Sequence, residues 1–465
     1  MVNPEKEAFI AKSEVKANDL DHKHKIAFNI DRYNAAVIRG KEQFSSLDLA
    51  RRRAKNTKWK AIENLDKNLE LFEKNFIEHG GKLIWAETVE EAQQAILEIC
   101  QEKKARTVVK SKSMVTEEIH LNRFLEEYNI ESIETDLGEY IQQLDGEPPY
   151  HIVTPAMHKS KEDIARLFHE KLGVPPGLSP SELTLIAREK LRKKYTEAEI
   201  GITGGNFLIA DTGSVCLTEN EGNGRLSTAF PKTHIAIVGI EKIIPGLQDL
   251  ALFWPLLATY GTGQTLTVYN TVFSGPAQSG EADGPKDMYV ILLDNGRTNL
   301  LRKEVRESMY CIRCGSCLNA CPVYKNIGGH TYNTTYSGPI GAVISPHLKS
   351  MSDFGHLSYA SSLCGNCTEV CPLKINIHEM LLENRHIYTE EVGGIKEKMA
   401  WRLYRRGVMH RNLMNISGGK TKNFVFEKIF NKVWGPRRDR PEFAPKSFNQ
   451  RWTEREAGRK SKKST

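Results

Sequence analysis

Polar and apolar positions divide the chain into regions of different texture. Residues 1–75 are polar and highly charged, with few β-branched side chains around Arg51-Arg52-Arg53. That pattern predicts helices with solvated faces, an N-terminal helical arm over 1–70. Near residue 80 the texture changes. Lys82–Ala86 is a short apolar run that predicts a strand, and Thr88 with Glu91 forms a capping box that opens a helix. Thr107–Lys110, Ile130–Thr135 and His151–Thr154 are further predicted strands, and Ser113–Ile119 opens another helix. Strand and helix alternating in this way predict an α/β domain with a largely parallel sheet, whose ligands gather at the carboxyl ends of the strands.

Residues 196–295 are richer in Gly, Thr and β-branched residues. Phe207–Ala210 and Ser214–Thr218 flank Asp211-Thr212-Gly213, a hairpin signal. His234–Gly239 and Met288–Leu293 are apolar strands, with loops predicted at Gly261-Thr262-Gly263 and Ser274-Gly275-Pro276. The α/β domain is therefore expected over 71–300. A cysteine-rich module follows over 301–390, and a basic C-terminal segment over 391–465. Helices are expected in that segment around Met399–Arg405 and Phe424–Trp434, with extended or disordered chain beyond Pro436.

Charge adds an asymmetry. The chain of 465 residues has a net charge of +7, yet residues 391–465 contain 20 basic and 7 acidic side chains. The remainder is mildly acidic. The basic segment lacks aromatics arranged for base stacking, so it predicts docking to an acidic partner or an anionic membrane surface, and no nucleic-acid role. No run reaches the ~18 apolar residues of a membrane span. Met1–Glu7 lacks the basic-then-apolar layout of a secretory leader, so a cytoplasmic protein is expected, at most peripheral to the inner face of the membrane.

The cysteines narrow the chemistry most. Seven of nine lie between Cys311 and Cys371. Cys311-x-x-Cys314-x-x-Cys317-x-x-x-Cys321-Pro322 is followed by Cys364-x-x-Cys367-x-x-x-Cys371-Pro372, and an offset of 50 superposes the two. Gly315 then meets Gly365, Asn326 meets Asn376 and Ile327 meets Ile377. Three thiolates at three-residue intervals converge on one iron–sulfur cube, while the fourth cysteine points away and proline directs the chain into a helix. In two-cluster ferredoxins that fourth cysteine ligates the other cluster. The pattern predicts two [4Fe–4S] clusters, one on Cys311, Cys314, Cys317 and Cys371, the other on Cys321, Cys364 and Cys367. Ser361 stands where the second cluster's fourth cysteine would be. Ser361, His356 or a water could complete it, a partner or substrate could supply the ligand, or the cluster could be [3Fe–4S]. Zinc also uses paired cysteines, but zinc ribbons do not require the third and fourth cysteines or the repeated Cys-Pro.

Other candidates are weaker. Cys100 and Cys216 read as core residues. His330, His347 and His378 flank the cysteine repeats as polar neighbours. Gly201–Asn206 resembles an anion-cradling loop without the Lys of a P-loop. Lys110, Lys112 and Thr203–Asn206 are candidate anion contacts. There is no dinucleotide fingerprint and no Ser-His-Asp or Cys-His constellation, so catalytic residues are not identified.

Together these motifs carry a resemblance over nearly the whole length. The cysteine repeats, Gly201–Ser214, Phe230–Ile235, Val109–Val115 and Glu134–Glu139 are similar to the lactate-utilization iron–sulfur proteins of the bacterial three-component L-lactate oxidation system. The resemblance implies that 71–300 is a lactate-utilization domain with an isomerase/CoA-transferase-like fold. It implies a ferredoxin-type helical module after it, and a second cluster with three cysteines. Its implied partners are a cysteine-rich companion protein and a second protein with a lactate-utilization domain. The implied role is electron transfer during oxidation of L-lactate to pyruvate, without catalysis by this chain alone. Another 2-hydroxy-acid oxidation complex, or an enzyme binding the acid in the α/β domain, are the alternatives.

Overall fold

A computed structural model describes residues 3–301, 303–415, 418–430 and 439–461. The chain falls into two compact units, 1–391 and 392–465.

Four helices open the first unit: α1 (Pro4–Ala17), α2 (Leu20–Gly40), α3 (Leu47–Glu63) and α4 (Leu65–Glu78). Asn3 and Asp19 cap α1 and α2 with their side-chain oxygens. Each of α2, α3 and α4 buries one stripe at helical spacing, such as His22, Ile26 and Ile30 in α2 and Leu65, Leu69, Phe72 and Phe76 in α4. This corrects the reading of a solvated arm. Most of the charges lie on the outer faces, Lys58 being buried, and Ile26, Ile30, Ala54 and Phe72 share one continuous core with Tyr324, Ile340 and Leu381 of the cysteine module. The close approach is visible where a Cβ on Gly40 would sit 2.6 Å from the Gly263 carbonyl oxygen.

The central sheet has six parallel strands in the order β1 (Lys82–Ala86), β10 (Asp287–Leu293), β7 (Thr233–Gly239), β4 (Ile200–Thr203), β2 (Thr107–Lys110) and β3 (Glu131–Glu134). All five pairings are parallel. The middle strand β7 is buried along its whole length, as the apolar run from Ile235 to Val238 favours, and its first two residues, Thr233 and His234, are buried polar groups. Helix α5 (Val89–Glu102), capped by Thr88, covers one face through Ala92, Ile96, Ile99 and Cys100. A second sheet orders β8 (Ile243–Ile244), β5 (Phe207–Ile209), β6 (Ser214–Glu219) and β9 (Tyr269–Phe273). Its β5–β6 hairpin is antiparallel and turns through Gly213 at φ 58°.

Two local readings change. His151–Thr154 is a turn and not a strand, because His151 Nδ1 accepts from the backbone N–H groups of Val153 (3.1 Å) and Thr154 (3.2 Å). Gly261 and Thr262 finish the helix Leu250–Thr262, and the loop begins at Gly263, φ 78°.

From Arg297 to Glu391 the described elements are all helical. In the C-terminal unit, Met399–Arg405 lies inside the helix Ile395–Met409. The helix expected over Phe424–Trp434 is met by Gly419–Val425 and the wider turns of Phe426–Phe430, with 431–434 outside the described residues. Phe448–Ser461 is a helix where extended chain was expected. Ser447 accepts from the Gln450 N–H (3.2 Å) and Gln450 reaches back to the Ser447 N–H (2.8 Å), a capping box that starts it. Among the described residues, no helix is long and apolar enough to cross a membrane.

Candidate metal centre

The two cysteine repeats fold as the same turn. In the first, Arg313 takes φ 60° and its N–H donates to Cys311 Sγ at 3.4 Å. In the second, Leu363 takes φ 55° and its N–H donates to Ser361 Oγ at 3.1 Å. Gly315 and Gly365 follow at φ 80° and 79°, a conformation that a Cβ would strain. A short helix closes each turn: Leu318 and Asn319 donate to the Gly315 carbonyl, as Thr368 and Glu369 do to that of Gly365. The hydroxyl of Ser361 therefore occupies the position of the Cys311 thiol. The repeats diverge after proline. Pro322 starts a helix at once (Pro322–Ile327), whereas Pro372 leads through a turn before Ile377–Glu391. The expected helix after Cys-Pro thus forms directly only in the first repeat.

All nine cysteines are free thiols. Cys311, Cys314, Cys317 and Cys371 line one small cavity with Ile152, Ile340 and Ile375. Burial pushes the Cys371 thiol up to about 12, and Cys314 and Cys311 beside it add to the effect. Cys317 is raised by burial and then by Cys311, Cys314, Cys371 and Cys367. Cys321 is raised by burial and by Cys364, and Cys367 is pushed up to about 11 by burial and by Cys321 and Cys364. The thiols thus gather into a set of four and a set of three, touching electrostatically between Cys317 and Cys367. Crowded, desolvated thiols cannot ionise together unless multivalent cations replace their protons. That chemistry suits iron–sulfur clusters, and the residues fit them.

Basic groups surround the set of four. Arg313 lies over the Tyr336 ring at 4.5 Å and reaches Glu241 at 3.4 Å. Lys58 and Lys242 are buried; desolvation lowers them to about 7 and about 8, while Glu241 and Cys311 oppose the shift. Arg51 donates to the Cys371 carbonyl from Nη2 (2.7 Å) and Nε (3.1 Å), and to the Glu369 carbonyl (2.7 Å). Behind them Arg297 pairs with Glu118 (2.8 Å) and Glu241 (2.6 Å), and Glu241, just past the end of β7, also holds Arg313 of the module. Sequence reasoning missed these residues. Arg51 was visible only as part of a charge run, and it contacts a loop some 320 positions away in the chain.

The candidate anion contacts are mostly committed elsewhere. Lys110 is buried between Glu134 (2.6 Å) and Glu117 (3.0 Å). Thr203 bonds His234 at 2.9 Å, and Asn206 Oδ1 accepts from the Thr218 N–H. Lys112 donates to the Val153 carbonyl at 2.8 Å and lies 3.7 Å from Asp136. Cys100 and Cys216 are core residues, Cys216 accepting from the Trp254 indole at 3.1 Å. His378 bonds Thr368 and His347 bonds Asn384, both at 2.8 Å. His356 is buried against Phe9, with Nδ1 on the Asp353 carbonyl and Nε2 unpartnered.

Residues 69–293 match the LUD domain family and residues 307–375 match the 4Fe-4S dicluster domain family. The module with the repeats is therefore an iron–sulfur module. Among curated proteins, the chain is 46% identical over 380 residues to lactate utilization protein B of Bacillus velezensis, covering 81% of this chain and 80% of that one. It is 46% identical over 389 residues to the protein of the same name in Bacillus licheniformis, covering 83% and 82%. The protein of that name in Geobacillus thermodenitrificans is 48% identical over 355 residues, covering 76% and 75%. A LUD domain followed by an iron–sulfur module, at this similarity across most of both chains, places the chain in the lactate utilization protein B family.

Proposed function

We propose that the chain is an iron–sulfur electron-transfer protein that takes part in oxidation of L-lactate to pyruvate. Cys311, Cys314, Cys317 and Cys371 hold one [4Fe–4S] cluster. Cys321, Cys364 and Cys367 hold the second, with Ser361 Oγ as its fourth ligand. The observation that carries this reading is the cavity that Cys371 of the second repeat shares with Cys311, Cys314 and Cys317 of the first. The clusters supply one-electron steps. The chain positions them side by side, excludes water from the first through Ile152, Ile340 and Ile375, and balances its charge with Arg313, Lys58 and Lys242.

In this reading the chain works in the cytoplasm, with at most peripheral membrane contact. It works beside a cysteine-rich companion and a second lactate-utilization-domain protein, and the basic segment 391–465 is its docking surface. The enzymatic alternative is weakened by the commitments of Lys110, Thr203 and Asn206 described above. Two experiments test the proposal. Anaerobically prepared protein should give reducible cubane signals by electron paramagnetic resonance; a colourless protein with stoichiometric zinc would overturn it. A deletion strain lacking other lactate dehydrogenases should fail to grow on L-lactate, and the Cys364→Ala protein should not restore growth. Normal growth of the deletion strain would remove the lactate role.

A further inference from the structure

A second group of metal-binding side chains lies away from the cysteines. Glu147 follows the helix Leu137–Asp145, His158 precedes the helix Lys161–Leu172, and His330 comes from the short turn after the first cysteine repeat. One ligand atom from each lies within 4.8 Å of the other two. Glu147 and His158 are 11 positions apart in the α/β domain, whereas His330 comes from the iron–sulfur module far along the chain.

Their surroundings orient them. The Tyr150 ring stacks on His158 at 4.5 Å and meets His330 edge-on at 5.0 Å, and its hydroxyl is fixed by His22 Nε2 at 2.6 Å. His330 Nε2 lies 2.7 Å from the Pro148 carbonyl, so Nε2 carries the proton and Nδ1 is the unprotonated nitrogen of the neutral ring. A ring nitrogen donating to a backbone carbonyl is the usual support of a ligating histidine. His158 Nε2 is 3.0 Å from Glu147 Oε2, while its Nδ1 is buried without a partner. Lys159 Nζ also holds Oε2, at 2.9 Å. It pairs with Asp145 too, so it keeps a carboxylate partner when Glu147 turns to an ion. Burial lowers the pKa of both rings, His158 to about 4, which leaves them neutral and ready to coordinate near neutral pH.

We propose that Glu147, His158 and His330 form a divalent transition-metal site that clasps the α/β domain to the iron–sulfur module. Two imidazoles and a carboxylate suit zinc and its neighbours in the first row, and three protein ligands leave at least one coordination position open. Bonds of ~2.1 Å place ligand atoms ~3.4 Å apart, so side chains whose ligand atoms lie within 4.8 Å must rotate inward to hold the ion. The site contains no thiol, which separates it chemically from both clusters, and it stands whether or not the electron-transfer reading does.

The test uses full-length, cluster-loaded protein prepared anaerobically, dialysed against zinc chloride and freed of excess zinc by gel filtration. The expected result is one retained zinc per chain with unchanged iron. X-ray absorption at the zinc edge should show a shell of nitrogen and oxygen at about 2.0–2.1 Å with imidazole scattering beyond it. His158→Gln and His330→Gln should each lose the zinc and keep the iron. No retained zinc, a shell dominated by sulfur near ~2.3 Å, or full retention in both variants would each overturn the proposal. The absorption shell of the unmodified protein decides the matter even if a variant fails to fold.

Discussion

The two cysteine repeats share a turn but not an environment. The first places Cys314 and Cys317 in the interior at 8% exposure and brings Arg313, Lys58 and Lys242 near Cys311. The second leaves Cys364 exposed and has Ser361 in place of a thiol. One backbone design therefore yields a shielded site and an open one. Cluster potential follows net charge, hydrogen bonding and exposure. The expected arrangement is a stable inner relay and a more labile outer cluster that meets the partner.

The largest effect that would break this contrast is loss of a cluster. Cys317→Ala removes a buried ligand from the inner set and should cost that cluster and much of the module's stability. Cys364→Ala should cost only the outer cluster, roughly half of the iron. Iron analysis with paramagnetic resonance of each variant reads this directly, and equal damage from both would erase the distinction. Next, Ser361→Cys should give the outer site a fourth thiolate and slow its loss of iron in air, whereas Cys311→Ser should make the inner site oxygen-sensitive. Unchanged bleaching rates would show that these positions do not face the clusters.

A smaller effect concerns charge. Arg313→Met removes a cation beside Cys311, while Glu241 keeps Arg297 as its partner. Reduction adds negative charge, so the inner cluster's potential should fall by an amount on the order of tens of millivolts, and the outer one should stay put. Redox titration followed by paramagnetic resonance separates the two. A shift of both clusters together would mean that the inner shell of charge is not local.

The smallest effect lies in the α/β body, away from iron. Burial depresses His234 from 6.5 to about 3. A depressed folded pKa means the unfolded chain binds the extra proton first. The stability contribution is complete above 6.5 and is lost as pH falls through that interval. His234→Gln should flatten the pH dependence of the unfolding free energy there, by a slope of about 1.4 kcal/mol per pH unit. An unchanged profile would mean that His234 titrates normally in the folded protein.

Legibility varied with how local the physics was. Strands β1, β2, β3, β7 and β10 were readable because apolar runs bounded by turn residues need only their neighbours. The hairpin at Asp211-Thr212-Gly213 was readable for the same reason. His151–Thr154 misled because its apolar pattern imitates a strand, while the histidine ring captures the backbone N–H groups a strand would use. The C-terminal helix was hidden behind charge, although Ser447 and Gln450 were a visible cap.

The sequence by itself determined the chemistry of the module, because cysteine spacing and the repeat at an offset of 50 dictate which backbone turns can form. It also determined the parallel α/β character, which follows from periodicity. Only the tertiary structure decided that the N-terminal helices are part of the core, that Arg51 reaches the Cys371 loop, and that Glu147, His158 and His330 meet. Each of those contacts brings together segments distant in the chain, and no local pattern encodes which distant side chains a folded surface will bring within bonding distance.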